Sequence, residues 1–381
     1  MFARYNGWLI TLSVFFLCTL GLVMLTSTSI WSEGDGKSYY HLGSQAKWLV
    51  IGVLGAIAAA VFDYRKLQTH AHWILFGACF LLVLCYVPGI GVEANGERRW
   101  IRLPGLGQFQ PSECAKIALM LSLAAFLTKN QAEILRFDRG FVRPCMILGL
   151  PVALIFFEKD MGTATALGAA GAFVLFVAGT RLRYLTVAAV GAAGALVYMV
   201  LQNQNRMERI MAFQNLEATR LDKGLQQWRA LLAFANGGTD GLGLGNGVEK
   251  HGYLPFAHTD FIFAMVGEEM GLKWTLGVVA AFIAIAFTGT MIAIHTKCLF
   301  GKLLAVGLVA SIVMPALVNI GVVTALLPNT GLPLPFLSYG GSNLVFTLAA
   351  VGLLISIHRH NEPEEISELP VINQRKVAVR L

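Results

Sequence analysis

Three groups of ionisable residues lie at the ends of long apolar segments of this sequence. In the first, FQPSECAK, Glu113 and Lys116 are three residues apart, which puts both on one face of a helix. In the second, EKDMGTA, Glu158 and Asp160 occupy a short turn between two apolar segments. A charge at the centre of a bilayer costs about 2.5 to 3.5 kcal/mol on insertion scales, so each group calls for an explanation.

The third group is in the stretch KHGYLPFAHTDFIFAMVGEEMG. Here Asp260 follows His258 and Thr259 and precedes an apolar run that contains Glu268. The run from Asp260 to Ile294 exceeds one membrane thickness, so its first turns are expected to tilt, break or line a cavity. An acid in that setting is a functional candidate, because a carboxylate can act as a general base.

Each group also has a purely structural interpretation. Glu113 and Lys116 can form an ion pair that neutralises itself within the bundle. Asp160 can be the N-cap of the next helix, which is the favoured interpretation for that residue. His258 can be satisfied by backbone groups at a helix start. The residues alone leave these alternatives open.

The composition predicts the elements that hold these groups. Of 381 residues, 56% are hydrophobic and 13% are charged, whereas a soluble domain is roughly 25% charged. A soluble enzyme is therefore excluded. The sequence predicts an all-α, polytopic integral membrane protein with ten transmembrane helices, near residues 8–28, 46–62, 72–88, 113–128, 142–158, 162–180, 183–201, 270–294, 303–327 and 340–357.

The basic residues of the short loops predict the orientation. The positive-inside rule puts both termini in the cytoplasm, because one side of the predicted spans holds Arg65, Lys66, Lys129, Arg136, Arg139, Arg143, Arg181, Arg183, Lys297 and Lys302. Residues 1–358 then form one membrane domain and residues 359–381 a cytoplasmic tail. Basic residues spread between spans in this way do not indicate nucleic-acid binding.

A large extracytoplasmic loop, residues 202–259, is predicted between helices 7 and 8. Within it Leu221, Leu225, Trp228 and Leu232 share one helical face, for a helix that lies on the outer leaflet or packs on the spans. Residues 326–344, LLPNTGLPLPFLSYGGSNL, resemble a re-entrant loop on the same side. Irregular backbone at membrane depth must line a cavity or be buried in protein, so one outward-opening cavity is expected.

Four stretches of the chain resemble the signature sequences of a known family. NGERRWI with FQPSECAK, then EKDMGTA, GLGLGNGVEKHGYLPFAHTDFIFAMVGEEMG and GLPLPFLSYGGSNL occur in the order found in the SEDS family of FtsW, RodA and SpoVE proteins. The resemblance covers nearly the whole chain. The stretches GVEANGERRW and VGEEMG favour the cell-division branch, with the elongation branch as the alternative.

The resemblance implies a peptidoglycan glycosyltransferase that polymerises lipid II outside the cytoplasmic membrane, at the division septum. It implies that Asp260 is the essential catalytic residue. A carboxylate there could deprotonate the attacking sugar hydroxyl while undecaprenyl pyrophosphate leaves with inversion. A lipid II flippase is the rival function, because both functions need a cavity, basic residues and acids at membrane depth.

The expected binding partners follow from the same resemblance. The leaving pyrophosphate needs positive charge, from Arg99, Lys116 or Lys250 or from a divalent ion, Mg²⁺ or Mn²⁺; no other cofactor is implied. The expected protein partners are a class B penicillin-binding protein transpeptidase and other divisome membrane proteins. Residues expected to bind the substrate are Arg98, Arg99, Trp100, Gln110, Glu113, Lys116, Asp160, Lys250, His258, Thr259, Glu268, Ser338, Tyr339 and Ser342.

Overall fold

Ten long apolar helices form the body of the protein in the computed structural model, which describes residues 6–32, 40–94, 97–103 and 107–361. Their number confirms the predicted all-α membrane fold. The predicted tail lies outside the described residues from position 362 onward. In chain order the helices are α1 (Asn6–Ser32), α2 (Tyr40–Val61), α3 (Arg65–Leu84), α4 (Pro111–Lys129), α5 (Arg143–Phe157), α6 (Met161–Ala178), α7 (Leu182–Leu201), α8 (Gln204–Gln214), α9 (Leu225–Gly237), α10 (Ile262–His295), α11 (Leu299–Val323) and α12 (Gly341–Arg359).

Helices α8 and α9 are too short to span a bilayer and belong to the large loop between α7 and α10. The sequence did not predict α8. It predicted a helical face from Leu221, but α9 begins only at Leu225, and Leu221 is 86% exposed in the preceding turn. The amphipathic pattern therefore extended one turn beyond the helix.

The long helix α10 is broken at Gly271, as the distance from Asp260 to Ile294 predicted. Gly271 adopts φ 77°, a left-handed conformation that glycine tolerates best. The carbonyls of Glu268 and Glu269, just before the break, accept hydrogen bonds from Leu242 and Gly243 at 3.0 and 2.9 Å. The segment before the break is helical from Ile262, so the predicted start near residue 270 was too late.

A small antiparallel sheet lies between α3 and α4. It consists of β1 (Gly91–Ala94), β2 (Glu97–Leu103) and β3 (Gly107–Phe109), in that order. The sequence did not predict these strands, because they are short and carry no sustained alternation of apolar and polar residues. Ile101 on β2 pairs with Phe109 on β3 and is buried, which fixes the face that β2 turns toward the helices.

The centre of the bundle is formed by α4, α6 and α11, which bury most of their residues. Helix α2 packs along α12, and α1 packs along α10. Helix α7 differs from all of these, since no residue of α7 is buried against the described chain. Its apolar surface is therefore available to lipid.

The helices run up and down, so the bundle has two distinct ends. We call the end that holds the β-sheet and the start of α10 the cavity end, and the other the opposite end. At the opposite end Gly7 of α1 lies beside His358 of α12. The first and last described residues therefore lie at the same end of the bundle.

Candidate active site

A cavity of about 850 Å³ opens at the cavity end. Five parts of the chain contribute to it: the first turns of α2, the β-sheet with the start of α4, the start of α6, the segment before α10, and the loop before α12. Its lining contains Gly43, Ser44, Lys47, Trp48, Ile51, Arg99, Trp100, Gly107, Gln108, Gln110, Glu113, Asp160, Thr163, Phe256, Thr259, Asp260, Gly331, Pro333, Tyr339, Gly340, Gly341 and Asn343. The convergence of separate segments on one cavity agrees with the sequence prediction.

Asp260 lies in the cavity wall, in a turn that precedes α10. The turn is closed by the carbonyl of Phe256, which accepts hydrogen bonds from the amides of Thr259 and Phe261 at 3.1 and 3.4 Å. The carboxylate lies over the α-carbon of Gly331, where an added Cβ would be 3.5 Å from Oδ2. Burial raises the pKa of Asp260 to about 6, while Arg99 opposes the rise. A pKa raised toward neutrality suits a carboxylate that has to accept a proton.

Asp160 caps the N-terminus of α6, as the favoured interpretation predicted. Its Oδ1 accepts from the Thr163 amide at 2.9 Å, and its Oδ2 accepts from the Thr163 hydroxyl at 2.9 Å. Arg99 Nη1 lies 3.4 Å from Oδ2, and Gln110 Nε2 donates to it at 3.4 Å. The capping role does not remove Asp160 from the site, because its carboxylate also lines the cavity.

Glu158 is a second acid near Asp160. It is buried, and burial raises its pKa to about 8, with a further contribution from Asp160. The Arg99 guanidinium opposes this rise, so Arg99 acts on Glu158 as well as on Asp160.

Glu113 and Lys116 form a tight ion pair beside the cavity. Glu113 Oε2 is 2.7 Å from Lys116 Nζ and also accepts from the Asn343 amide at 3.2 Å. Glu113 lines the large cavity, whereas Lys116 lines a smaller adjoining one with Leu332. The pair predicted from the spacing is present, and it sits at the wall between the two spaces.

Consecutive residues of β2 differ in their environment. Arg99 and Trp100 line the cavity. Arg98 is exposed and pairs with Glu93 across the hairpin at 3.2 Å. The sequence grouped all three as binding residues; the strand brings two of them to the cavity.

Two serines that were predicted to bind substrate instead hold neighbouring segments of the chain together. Ser338 Oγ donates to the Thr259 carbonyl at 2.6 Å and accepts from the Leu334 amide at 2.8 Å. Ser342 Oγ accepts from the Gln110 amide at 3.0 Å. These contacts direct both serine hydroxyls to backbone groups, and only Tyr339 of the predicted trio is part of the cavity lining.

His258 lies behind the cavity wall. Its ring stacks on that of His41 at 4.8 Å and meets that of Tyr339 edge-on at 6.1 Å. Burial lowers the pKa of His258 to about 4, with His41 as a second cause. The imidazole is therefore neutral at pH 7, and its contacts with His41 and Tyr339 are contacts between rings.

Lys250 and Glu268 belong to a separate buried network between α1, α10 and the loop that follows α9. Lys250 Nζ is 2.7 Å from Glu269 Oε1 and 2.8 Å from Ser27 Oγ, and the Lys250 and Glu269 side chains are 1% and 0% exposed. Glu268 accepts from the amides of Val248 and Glu249 at 3.0 and 3.2 Å. Neither residue reaches the cavity lining, so their predicted contact with substrate finds no support in this geometry.

The sequence analysis missed several lining residues, among them Lys47 and Trp48. Lys47 and Trp48 lie in the first turns of α2 and face the cavity. Lys47 is exposed, so its ammonium is accessible to a ligand. A lysine just inside an apolar helix is itself a signal, since a charge at that depth needs a reason.

Backbone strain is concentrated around the cavity. Lys159, Phe256 and Phe336 adopt φ values of 67°, 58° and 67°. Non-glycine residues seldom take this conformation, and such strain gathers at functional sites. Lys159 precedes Asp160, and Phe256 closes the Asp260 turn. Among the described residues, no group of three or more histidine, cysteine, aspartate or glutamate side chains could hold a metal ion, so the divalent ion stays a prediction.

Comparison with known proteins agrees with the sequence resemblance. The Geobacter metallireducens protein named probable peptidoglycan glycosyltransferase FtsW is 39% identical over 356 residues, which are 93% of this chain and 94% of that protein. Stage V sporulation protein E of Bacillus subtilis is 36% identical over 357 residues, 93% of this chain and 97% of that protein.

Two solved structures share the fold. A chain of a peptidoglycan synthase complex superposes with a TM-score of 0.78 and 28% identity, over 93% of this chain and 98% of that one. The Thermus thermophilus rod shape determining protein RodA gives a TM-score of 0.69 and 27% identity, over 94% of this chain and 98% of that one. The family model of FtsW, RodA and SpoVE, described as cell cycle proteins, matches residues 8–363. With its ten spans, its cavity and these relatives, the chain belongs to the FtsW/RodA/SpoVE family.

Proposed function

We propose that this protein polymerises lipid II into glycan strands during cell division, with Asp260 as the general base. The class of enzyme, a peptidoglycan glycosyltransferase, is confirmed by the names of relatives that are 39% and 40% identical over 93% of this chain. The observation that carries the catalytic proposal is the position of Asp260. It combines a partly buried carboxylate, whose pKa is raised to about 6, with a cavity large enough for sugars.

The proposed reaction uses Asp260 to activate a sugar hydroxyl. The hydroxyl oxygen of one lipid-linked sugar forms a bond to the anomeric carbon of another. The bond from that carbon to undecaprenyl pyrophosphate breaks, and its electron pair leaves with the pyrophosphate. The hydroxyl proton passes to the Asp260 carboxylate. Attack from the face opposite the leaving group inverts the α-linked donor to a β-linkage, and a positioned base contributes typically 10² to 10⁴ in rate.

Positive charge for the leaving pyrophosphate is available on two sides of the cavity. Arg99 comes from β2, and Lys47 comes from α2. Lys116 is one helical turn from the cavity lining at Glu113, so it could reach a bound phosphate if its ion pair opened. Lys250 is the weakest of the predicted cations, because it is fully buried against Glu269. A divalent ion would be an alternative source of positive charge.

The cavity offers a route for a lipid-linked substrate. Ile51 of α2 lines it and is 37% exposed, and the neighbouring Val50 and Leu54 are 60% and 62% exposed. The cavity wall is thus continuous with an apolar helix surface. A polyprenyl chain could remain among lipid tails while its sugars enter the polar part beside Asp260.

The cavity end faces outside in this proposal, and the two termini are cytoplasmic. The opposite end carries basic residues in short connections, among them Arg65, Lys129 and Arg181. An impermeant thiol reagent added to cells should label Glu217→Cys, in the loop before α9, and should not label Lys297→Cys. Labelling at position 297 with intact membranes would reverse the orientation. The parent protein is the control, since its own cysteines are buried or half-buried.

A class B penicillin-binding protein transpeptidase is the proposed partner, together with other divisome membrane proteins at the septum. The support is the similarity to a chain from a structure of polymerisation and crosslinking by a peptidoglycan synthase complex. Glycan strands need crosslinking after polymerisation, which a transpeptidase would supply.

The deciding experiment is polymerisation of lipid II by the purified protein with its transpeptidase partner. Asp260→Asn keeps the shape of the side chain and removes the base, so polymer should fall by about 10² or more. Asp240→Asn is the matched control, because Asp240 is 73% exposed and pairs with Lys273 on the surface. A normal yield of polymer from folded Asp260→Asn protein would contradict the assignment of Asp260 as the general base. Lipid II translocation without polymer from the parent protein would favour the flippase.

A further inference from the structure

We propose that Asn319 of α11 is a positioning residue that holds Asp260 in its reactive place. The inference rests on the proposed role of Asp260 as the general base. Asn319 does not line the cavity, and its side chain would act only through the Asp260 segment and the loop beside it.

The Asn319 amide bridges two separate segments of the chain. Its side chain is buried, with 1% of the residue exposed. Nδ2 donates to the carbonyl of Asp260 at 2.7 Å and to the carbonyl of Leu332 at 2.6 Å. Both protons of the amide nitrogen are therefore used. The reverse orientation would place the amide oxygen against two carbonyl oxygens, so the hydrogen-bond network fixes the assignment of nitrogen and oxygen.

Three successive carbonyls of the Asp260 segment are held from outside that segment. The His258 carbonyl accepts from the Tyr339 amide at 3.0 Å, and the Thr259 carbonyl accepts from Ser338 Oγ at 2.6 Å. The Asp260 carbonyl accepts from Asn319. Helix α10 begins only at Ile262, so its regular hydrogen bonds do not fix these peptides. The position of Asp260 therefore depends on tertiary contacts, of which Asn319 supplies the one at Asp260 itself.

The second contact of Asn319 fixes the surface behind the carboxylate. Leu332 follows Gly331, whose α-carbon lies against Asp260 Oδ2. One amide thus holds the backbone of Asp260 and the loop on which its carboxylate rests. Without that amide, both carbonyls would be buried with one fewer donor, and the two segments would be free to separate. A displacement of about 1 Å at a reacting group can reduce a rate by about 10².

The test is Asn319→Leu, which keeps a similar volume on a membrane helix and removes both donors. Polymerisation rates are measured against lipid II concentration, with the amount of folded protein taken from thermal unfolding. We expect kcat per folded molecule to fall by about 10- to 100-fold. KM should stay within about twofold, because the Asn319 side chain itself is not part of the cavity lining. Loss of fold alone would reduce the amount of active protein and leave kcat per folded molecule unchanged.

Asn130→Leu is the matched control. Asn130 also lies at the end of a membrane helix, and its amide donates to the Phe126 carbonyl at 2.8 Å, but at the opposite end of the bundle. It should retain the parent kcat. If Asn319→Leu does not insert, Ser338→Ala tests the same arrangement by removing the contact to the Thr259 carbonyl, and it should lower kcat without raising KM.

Two results would overturn the positioning role. One is an unchanged kcat in both Asn319→Leu and Ser338→Ala; the other is a rise in KM at constant kcat in these variants. Asp260→Asn is assayed in parallel so that the two proposals can fail separately. If Asp260→Asn is inactive while Asn319→Leu and Ser338→Ala match the parent protein, Asp260 remains the proposed base and the positioning role of Asn319 is wrong. If Asp260→Asn polymerises normally, the base assignment itself is wrong.

Discussion

The guanidinium of Arg99 on β2 lies 3.4 Å from the carboxylate of Asp160 at the start of α6, on the cavity wall that also holds Asp260. Arg99 therefore forms an ion pair with Asp160, and its charge also lowers the pKa of Asp260. Burial raises the pKa of Asp260, Arg99 lowers it and Asp160 raises it. The ionisation of the proposed base thus depends on this pair.

The first prediction concerns the pH dependence of polymerisation. A base must be ionised, so activity should fall tenfold per unit on the acid side of a midpoint near pH 6. Arg99→Gln removes the charge that lowers the pKa of Asp260, so the midpoint should move to higher pH. Asp160→Asn removes the charge that raises it, so the midpoint should move to lower pH. Asparagine is also a good N-cap, which preserves the start of α6.

The neighbouring arginine provides the control for these shifts. Arg98 is half-exposed and pairs with Glu93, away from the cavity. Arg98→Gln should leave the midpoint in place. The measurement is kcat/KM for lipid II between pH 5 and pH 8, because this ratio reports the ionisation of the free enzyme. Shifts in the same direction for Arg99→Gln and Asp160→Asn would contradict the electrostatic explanation.

The second prediction asks whether Lys116 serves the substrate. Its ion pair with Glu113 is buried, with side chains 12% and 4% exposed. Replacement of a buried pair by neutral residues is often tolerated, whereas one remaining charge is destabilising by about 3 to 5 kcal/mol. The double variant Glu113→Gln, Lys116→Met should therefore fold. We expect it to lose polymerisation, because Lys116 lies within one turn of the cavity.

Lys116→Arg should restore little activity, because a planar guanidinium does not replace a compact ammonium. Polymer yield is compared at equal amounts of inserted protein that still carries Asp260. A substantial yield of polymer from the double variant would show that Glu113 and Lys116 have only a structural role.

The third prediction concerns Lys47, which the sequence analysis did not identify. A charged hydrogen bond to pyrophosphate contributes roughly 1.5 to 3 kcal/mol, so Lys47→Met should raise KM for lipid II by about tenfold or more. Lys273→Met is the control, since Lys273 is 75% exposed and pairs with Asp240 outside the cavity. An unchanged KM in Lys47→Met would remove Lys47 from the binding site.

The fourth prediction separates stability from binding at Lys250. Glu269→Leu leaves the Lys250 ammonium buried without its partner carboxylate, which should destabilise the protein by about 3 to 5 kcal/mol. The double variant Lys250→Met, Glu269→Leu should recover much of that stability. Thermal unfolding measures both changes. If the recovered double variant polymerises normally, Lys250 is structural; if it is stable and inactive, the predicted contact with substrate regains support.

The sequence by itself determined the membrane class, the number of spans and the clustering of functional groups at one end. These properties are local or nearly so, because an apolar run of about 20 residues can be recognised as a membrane span without knowledge of the rest of the chain. The cap at Asp160 and the break before Leu272 were also predictable, since each follows from a few adjacent residues. The family resemblance pointed to Asp260 for the same reason, through one continuous stretch.

The tertiary structure decided which of the candidate residues share the cavity. The alternation of side chains along β2 places Arg99 at the cavity and Arg98 away from it. Helix packing pairs Lys250 with Glu269, 19 positions away in the chain, outside the cavity. It also brings Lys47 to the cavity and joins Asn319 to Asp260 across 59 positions. Such contacts depend on how helices pack together, which no local pattern of residue types encodes. A buried polar side chain can be predicted to need a partner, but only the packed bundle determines which one it finds.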